Sequence, residues 1–303
     1  MRRSVAAGLL FALIGAGALG LTVGAAACGF DGVGALGAAG GPRDGSTLAD
    51  VTTTADGSGG GPLDGGGPDG GDASVPPVDG GGTGYGLRVT NGLVALYEFE
   101  EDGGGAAHDS LLAGLDLVAS DSTKIAWKPH ALTFTGDTML ATQVAVGKVF
   151  TAVGLSNEVT VEAWVEPAAT NGNSRTRIAT MAQDNGHLDF ALGVDATNAI
   201  WAAVVANDDL APATMLAPAL DHLVMTRTAS DATLRLYLDG TQVTGELGAT
   251  PTPSSTWALV PLVVGNSSES NRPWRGTIHL LAIYSRALTP AEIATNHGAG
   301  ADP

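Results

Sequence analysis

Leu234-Arg235-Leu236-Tyr237-Leu238-Asp239-Gly240-Thr241-Gln242-Val243 is the stretch on which the fold turns. Leu234, Leu236 and Leu238 alternate with other residues, so the three leucines share one face of an extended strand. Asp239-Gly240 then supplies the two residues favoured in a tight type I′ hairpin turn. Just upstream, His222-Leu223-Val224-Met225-Thr226-Arg227 reads as a further strand, with Ser230-Asp231 in the turn between them. The segment is therefore a three-stranded antiparallel meander. Leu93–Phe99 reads as an early strand, Val159–Val165 alternates with the same period of two, and the series continues through Arg177–Ala182, Leu188–Val194 and 200–205. Gly, Asn, Asp and Pro punctuate the strands. One helix stands out, at the end. Thr289-Pro290-Ala291-Glu292 is a capping box with proline at the first helical position. Ile293 is placed to bury one face, and Gly298 is expected to stop the helix. Residues 86–303 thus read as all-β and antiparallel with one short C-terminal helix.

The chain before residue 86 has a different character. Cys28 is the one cysteine in 303 residues, so no internal disulfide can form. Arg2-Arg3, the apolar run Leu9–Val23 and the small residues Ala25-Ala26-Ala27 lead up to it, the layout of a secretory signal. A cysteine directly after the small residues resembles the lipobox of bacterial lipoproteins. On that reading residues 1–27 are a signal peptide, Cys28 becomes a lipidated N-terminus, and acyl chains are the membrane attachment. An uncleaved helix over Ser4–Ala27 is long enough to span a bilayer but is Gly- and Ala-rich, a weak permanent anchor. Cys28 past an ordinary cleavage site is the other alternative. The expected location is the extracytoplasmic side of a bacterial envelope, and Gly29 after the cysteine favours outer membrane or cell surface.

Residues 28–85 read as a disordered linker. They hold repeated glycines, many aspartates, Arg43 as the one basic residue, and few large apolar side chains to bury. A flexible coil of this length spans about 40 Å root-mean-square. Asp-Gly recurs, as at Asp44-Gly45 and Asp64-Gly65, but without the alternating acids and terminal glutamate of a calcium loop. The net charge of −17 argues against nucleic acid as a partner, because phosphate binding needs a basic face.

Taken in order, the strand segments resemble the bacterial LamG-like jelly-roll domain of the concanavalin A-like lectin/glucanase superfamily. The pieces that carry the resemblance begin with Gly92–Glu100, Gly103-Gly104 and Asp109-Ser110. They continue with His130–Gly136, Val159–Val165 and His222–Gly240. Val264-Gly265-Asn266, Trp274–Ile278 and Ile283–Leu288 with Glu292-Ile293 complete the set. His279 stands where many relatives carry an aspartate. The resemblance implies a jelly-roll β-sandwich of two stacked antiparallel sheets with variable rim loops.

Three chemistries follow. A calcium site on the acidic positions of the N-terminal loop would use Glu100, Asp102 and Asp109. A glycan site would draw on Trp201, Trp257 and Trp274, at or near predicted loops. Asn207, Asp208, Asp209, Asn266, Asn271 and Arg272 lie close by in sequence. Core packing is the competing reading for each tryptophan. Hydrolysis on this sandwich uses a strand bearing Glu-x-Asp-x-x-Glu, which is absent. Glu158 and Glu162 share a strand face with no aspartate between them, so no catalytic residue is expected. The sequence therefore points to a non-catalytic, membrane-tethered module that binds glycan. An envelope protein as partner is the alternative, and an atypical glycan hydrolase the third reading.

Overall fold

In the computed structural model, which describes residues 87–302 apart from 112–113, 173, 206–208 and 249–256, antiparallel strands dominate. The early strands are β1 (Leu93–Tyr97), β2 (Ala106–Ala107), β3 (Leu117–Ala119), β4 (Ile125–Lys128), β5 (Ala131–Phe134) and β6 (Leu140–Thr142). Helix α1 (Gly147–Ser156) precedes β7 (Val159–Pro167), β8 (Thr176–Ala182), β9 (Leu188–Val194), β10 (Ile200–Val204) and β11 (Asp209–Leu210). The chain closes with β12 (Asp221–Arg227), β13 (Thr233–Leu238), β14 (Thr241–Gly248), β15 (Leu262–Val264), β16 (Gly276–Tyr284) and helix α2 (Pro290–Ala299). The signal segment, Cys28, the linker, Asn207 and Asp208 lie outside the described residues.

The strands form two eight-stranded sheets. One runs β14-β13-β12-β7-β16-β5-β4, with β1 also on β16, and the other runs β11-β10-β9-β8-β15-β6-β3-β2. β16 meets β7 along one edge. On its other edge it meets β5 at Gly276–Ile278 and then β1 at Leu281–Tyr284. The meander is present as read. Asp239 and Gly240 both have positive φ (49° and 73°), which a type I′ turn requires.

The core lies between the sheets. Val159, Val161, Ala163 and Val165 of β7 point into it, as do Leu234 and Leu236 of β13, with Leu238 packed against them. From the other sheet come Ile178, Phe190, Leu192, Val194, Ile200 and Ala202. The alternate residues of β7 do not reach water. Trp164 packs under α2 with Val224, Tyr237, Tyr284, Leu288 and Ile293, which explains why a strand of period-two polarity is buried on both faces.

Two helical expectations change. α1 was not expected, because Gly147-Lys148-Val149-Phe150-Thr151-Ala152-Val153-Gly154 is poor in helix formers and Val146 offers no capping side chain. It forms because Val149 and Val153, four residues apart, are both buried in the core. At the C-terminus, the capping box of Thr289 and Glu292 is present, but Gly298 lies inside the helix. Gly300, at φ 86°, ends it.

Candidate functional site

Across the outer face of the second sheet, Arg177 of β8, Gly193 of β9 and Trp201 of β10 stand in register. Their neighbours Ile178, Leu192, Val194, Ile200 and Ala202 belong to the core, so these three point outward. Gly193 is required there. A Cβ at that position would lie 1.9 Å from the Thr176 carbonyl oxygen and 3.1 Å from Trp201 Nε1. The missing side chain lets the indole lie on the sheet, where it is only 3% exposed. Its face is covered by Arg175, whose guanidinium carbon sits 4.9 Å from the ring centroid, a cation–π contact. Arg175 Nη2 is also 2.5 Å from Asp209 Oδ2 on β11.

Arg175 and Trp201 line a cleft of about 610 Å³. Pro212 and Met215 (54% exposed) give it an apolar wall, and Ser174 and Thr197 contribute hydroxyls. Asp195 is in the lining too, but its Oδ1 already accepts from the Thr197 backbone (2.7 Å), the Thr197 hydroxyl (2.7 Å) and the Ala199 backbone (3.0 Å). Burial works to raise this carboxyl, yet those hydrogen bonds hold it below the usual range.

The other residues read from the sequence divide. Trp257 is buried against Phe190, and Trp274 is fully buried; both belong to the core between the sheets. Asn266 is buried as well. Its side chain accepts from the backbones of Ser267 and Arg272 (both 2.8 Å) and donates to the Thr138 carbonyl, so it shapes the 265–275 loop from within. That loop brings the Arg272 carbonyl to the Arg177 backbone N–H at 3.0 Å. Asn271 is exposed and accepts from Asn185 Nδ2 at 2.8 Å. Trp201, Asp209, Asn271 and Arg272 therefore converge near one place. Arg175 and Arg177 join them, and the sequence reading did not single these out. The signal was there: Arg175-Thr176-Arg177 puts two cations on one side of a period-two segment.

Glu100, Asp102 and Asp109 do not converge as a calcium site. Asp109 is buried and spends Oδ1 on the backbones of Leu96 and Leu111, and Oδ2 on the Lys148 ammonium from α1. Glu100 instead gathers with His130 and Asp302, all three exposed, while Asp102 is exposed on the same loop. Two carboxylates and an imidazole fall short of the oxygen-rich shell that calcium takes. A smaller hollow of about 270 Å³ beside them is lined by Glu98, Glu101 and His108. Burial raises the Glu98 carboxyl there, partly opposed by a hydrogen bond with Ser110.

A family profile described as the concanavalin A-like lectin/glucanases superfamily matches residues 136–294. No curated protein matches the chain. Among solved structures, Trypanosoma rangeli sialidase in complex with sialic acid matches at 19% identity and a TM-score of 0.51, over 68% of this chain and 32% of that one. The binding domain of botulinum neurotoxin DC in complex with SialylT matches at 8% identity and a TM-score of 0.52, over 68% and 51%. The same domain with rat synaptotagmin II matches at 9% and 0.52 over the same shares. The chain thus spans about a third to a half of these proteins, and identities this low carry the fold alone. On the profile match, and with the two-sheet architecture in agreement, the chain belongs to the concanavalin A-like lectin/glucanase superfamily.

Proposed function

We propose that this protein is a non-catalytic binding module that recognises carbohydrate at the Arg175–Trp201 cleft. In this reading it is tethered outside the cytoplasm by a lipid on Cys28 and held off the membrane by the 28–85 linker. The observation that carries the reading is the lining of the cleft. Its volume of about 610 Å³ is in the range of small-ligand sites. Apolar Pro212 and Met215 share the lining with the Ser174 and Thr197 hydroxyls and the Arg175 guanidinium, a mixture that suits a sugar ring with one apolar face and a rim of hydroxyls.

The acids at this place argue for binding rather than hydrolysis. A glycosidase needs one carboxyl kept protonated near neutrality. Asp195 is held low by its hydrogen bonds and Asp209 is paired with Arg175. Superfamily membership and the sialic acid or SialylT in two of the matched structures lend support by fold analogy.

The test is a broad glycan array probed with the purified full-length chain, once with calcium and once with chelator. Reproducible binding to a chemically related set, lost when Met215 is changed to Asp, supports the cleft. Binding that survives that change sinks the placement. Silence in both conditions sinks the carbohydrate reading and moves the partner to protein.

A further inference from the structure

Three of the chain's 14 basic side chains, Arg175, Arg177 and Arg272, line one hollow of about 170 Å³ with Asn185, Trp201 and Asp209. It adjoins the carbohydrate cleft, since Arg175 and Trp201 line both. Arg177 is 3% exposed, yet its Nε and Nη1 have no hydrogen-bond partner among the described residues. The same is true of Arg175 Nη1, Arg272 Nε and Trp201 Nε1. Like charges are brought together here and left with unspent donors. Asp209 pairs with Arg175, and Glu269 and Asp184 act on Arg177 by charge without hydrogen-bonding to it, Glu269 spending Oε2 on the Asn185 backbone.

Buried donors without acceptors are destabilising, so a fold that gathers five of them in one hollow has left a place for an acceptor group. We propose that this hollow is an anion subsite of the carbohydrate cleft, taking one carboxylate or sulfate ester carried on a sugar. The proposal rests on the carbohydrate reading and narrows it to acidic glycans. Arg177 Nε–H and Nη1–H lie on different edges of the guanidinium, so each offers one charge-assisted hydrogen bond to an acceptor in the hollow. Asn185 Oδ1, also buried without a partner, is placed to accept from an adjacent hydroxyl. Burial and the nearby Arg272 bring the Arg177 guanidinium down to about 10, so it keeps its charge at neutral pH. Asp209 in the lining and Glu269 and Asp184 nearby bound this cluster of three guanidiniums on a chain of net charge −17, which favours a single anionic group over a long polyanion.

Titration calorimetry on the full chain separates the possibilities. The ligands are D-glucuronic acid and N-acetylneuraminic acid for carboxylate, N-acetylglucosamine 6-sulfate for sulfate, glucose and N-acetylglucosamine as neutral sugars, and sodium acetate and sodium sulfate alone. At least one acidic sugar is expected to bind about 10-fold or more tightly than the neutral ones, the scale of one hydrogen bond to a charged group. Arg177→Gln should bring it down to the neutral level. Arg272→Gln, at a half-exposed loop position, should do the same should Arg177→Gln fail to fold. Which acidic arm binds identifies the anion. Equal binding of neutral and acidic sugars overturns the subsite and leaves the carbohydrate reading standing, as does a preference that survives both variants. Binding of acetate or sulfate without any sugar, lost in Arg272→Gln, overturns the carbohydrate reading and keeps an anion site. No binding of any ligand overturns both.

Discussion

His222 Nε2 donates to Glu162 Oε1 at 3.0 Å, and both side chains are completely buried. Arg88 donates to the same oxygen, while Asn296 Nδ2 (2.7 Å) and Tyr284 OH (3.4 Å) reach Oε2. One carboxylate thereby joins β7, β12, β16, α2 and the segment before β1. The His222 ring also stacks on Trp164 at 4.6 Å, and Trp164 on His297 at 5.6 Å. A group so fully enclosed has no route to substrate, so Glu162 fastens the layers that cover the outer face of its sheet.

Glu162→Gln is expected to destabilise the domain by about 3–5 kcal/mol, because it strands the buried Arg88 cation. Urea unfolding at pH 7 measures this; a loss under about 1 kcal/mol would show that Arg88 is not held by this carboxylate.

The same site predicts an acid limb. Burial alone would raise the Glu162 carboxyl, but the His222 hydrogen bond and the Arg88 charge hold it to about 2, below its ordinary 4.5. A depressed folded-state value means the unfolded chain binds the proton first. The stabilisation is complete above about pH 4.5 and is lost as the pH falls towards 2. Unfolding free energy should drop across that window in the native chain, with a shallower slope in Glu162→Gln.

Asp109 and Lys148 form a second buried pair, with the acid wholly enclosed and the ammonium partly so. Asp109→Ala should lower stability by about 3 kcal/mol or more, since it leaves Lys148 and the Leu96 and Leu111 backbones without their acceptor. The melting temperature of the native chain should be the same with and without chelator. A chelator-sensitive melt would restore a calcium role for the Glu100–Asp109 loop.

Gly193→Ala places a methyl group 1.9 Å from a backbone oxygen between β8 and β9. The strands must part or the indole of Trp201 must move. An overpacking loss of about 1–3 kcal/mol is expected, together with a change in the near-UV signal of tryptophan. Unchanged stability and spectrum would mean the sheet has slack at this point.

Thr289→Ala removes the hydroxyl that accepts from the Glu292 backbone and half of the capping box of α2. About 1 kcal/mol is the expected cost in thermal unfolding. Because α2 covers Trp164, an amide-exchange measurement should show faster exchange in α2 and at the outer face of β7. Exchange confined to the first turn of α2 would show that the helix docks independently of its cap.

The meander, the outer limits of most long strands and the capped final helix were determined by local sequence. Alternation with period two and an Asp-Gly turn act over a few residues, and their outcome scarcely depends on the rest of the chain. Tertiary structure decided what such patterns cannot encode. α1 exists because Val149 and Val153 find the core, against poor local propensity. Trp257 went inside against Phe190 and Trp274 into the core between the sheets, and Asp109 went to Lys148 because α1 delivers that lysine. Arg175 and Arg177 could be paired from local sequence, but their meeting with Arg272 could not, for the same reason. Arg272 is nearly a hundred residues from Arg177 along the chain, and β15 and the loop shaped by Asn266 bring them together. Local pattern settles which residues are extended and which face the core; the meeting of distant side chains depends on strand order, which sets where loops of unrelated sequence come to lie.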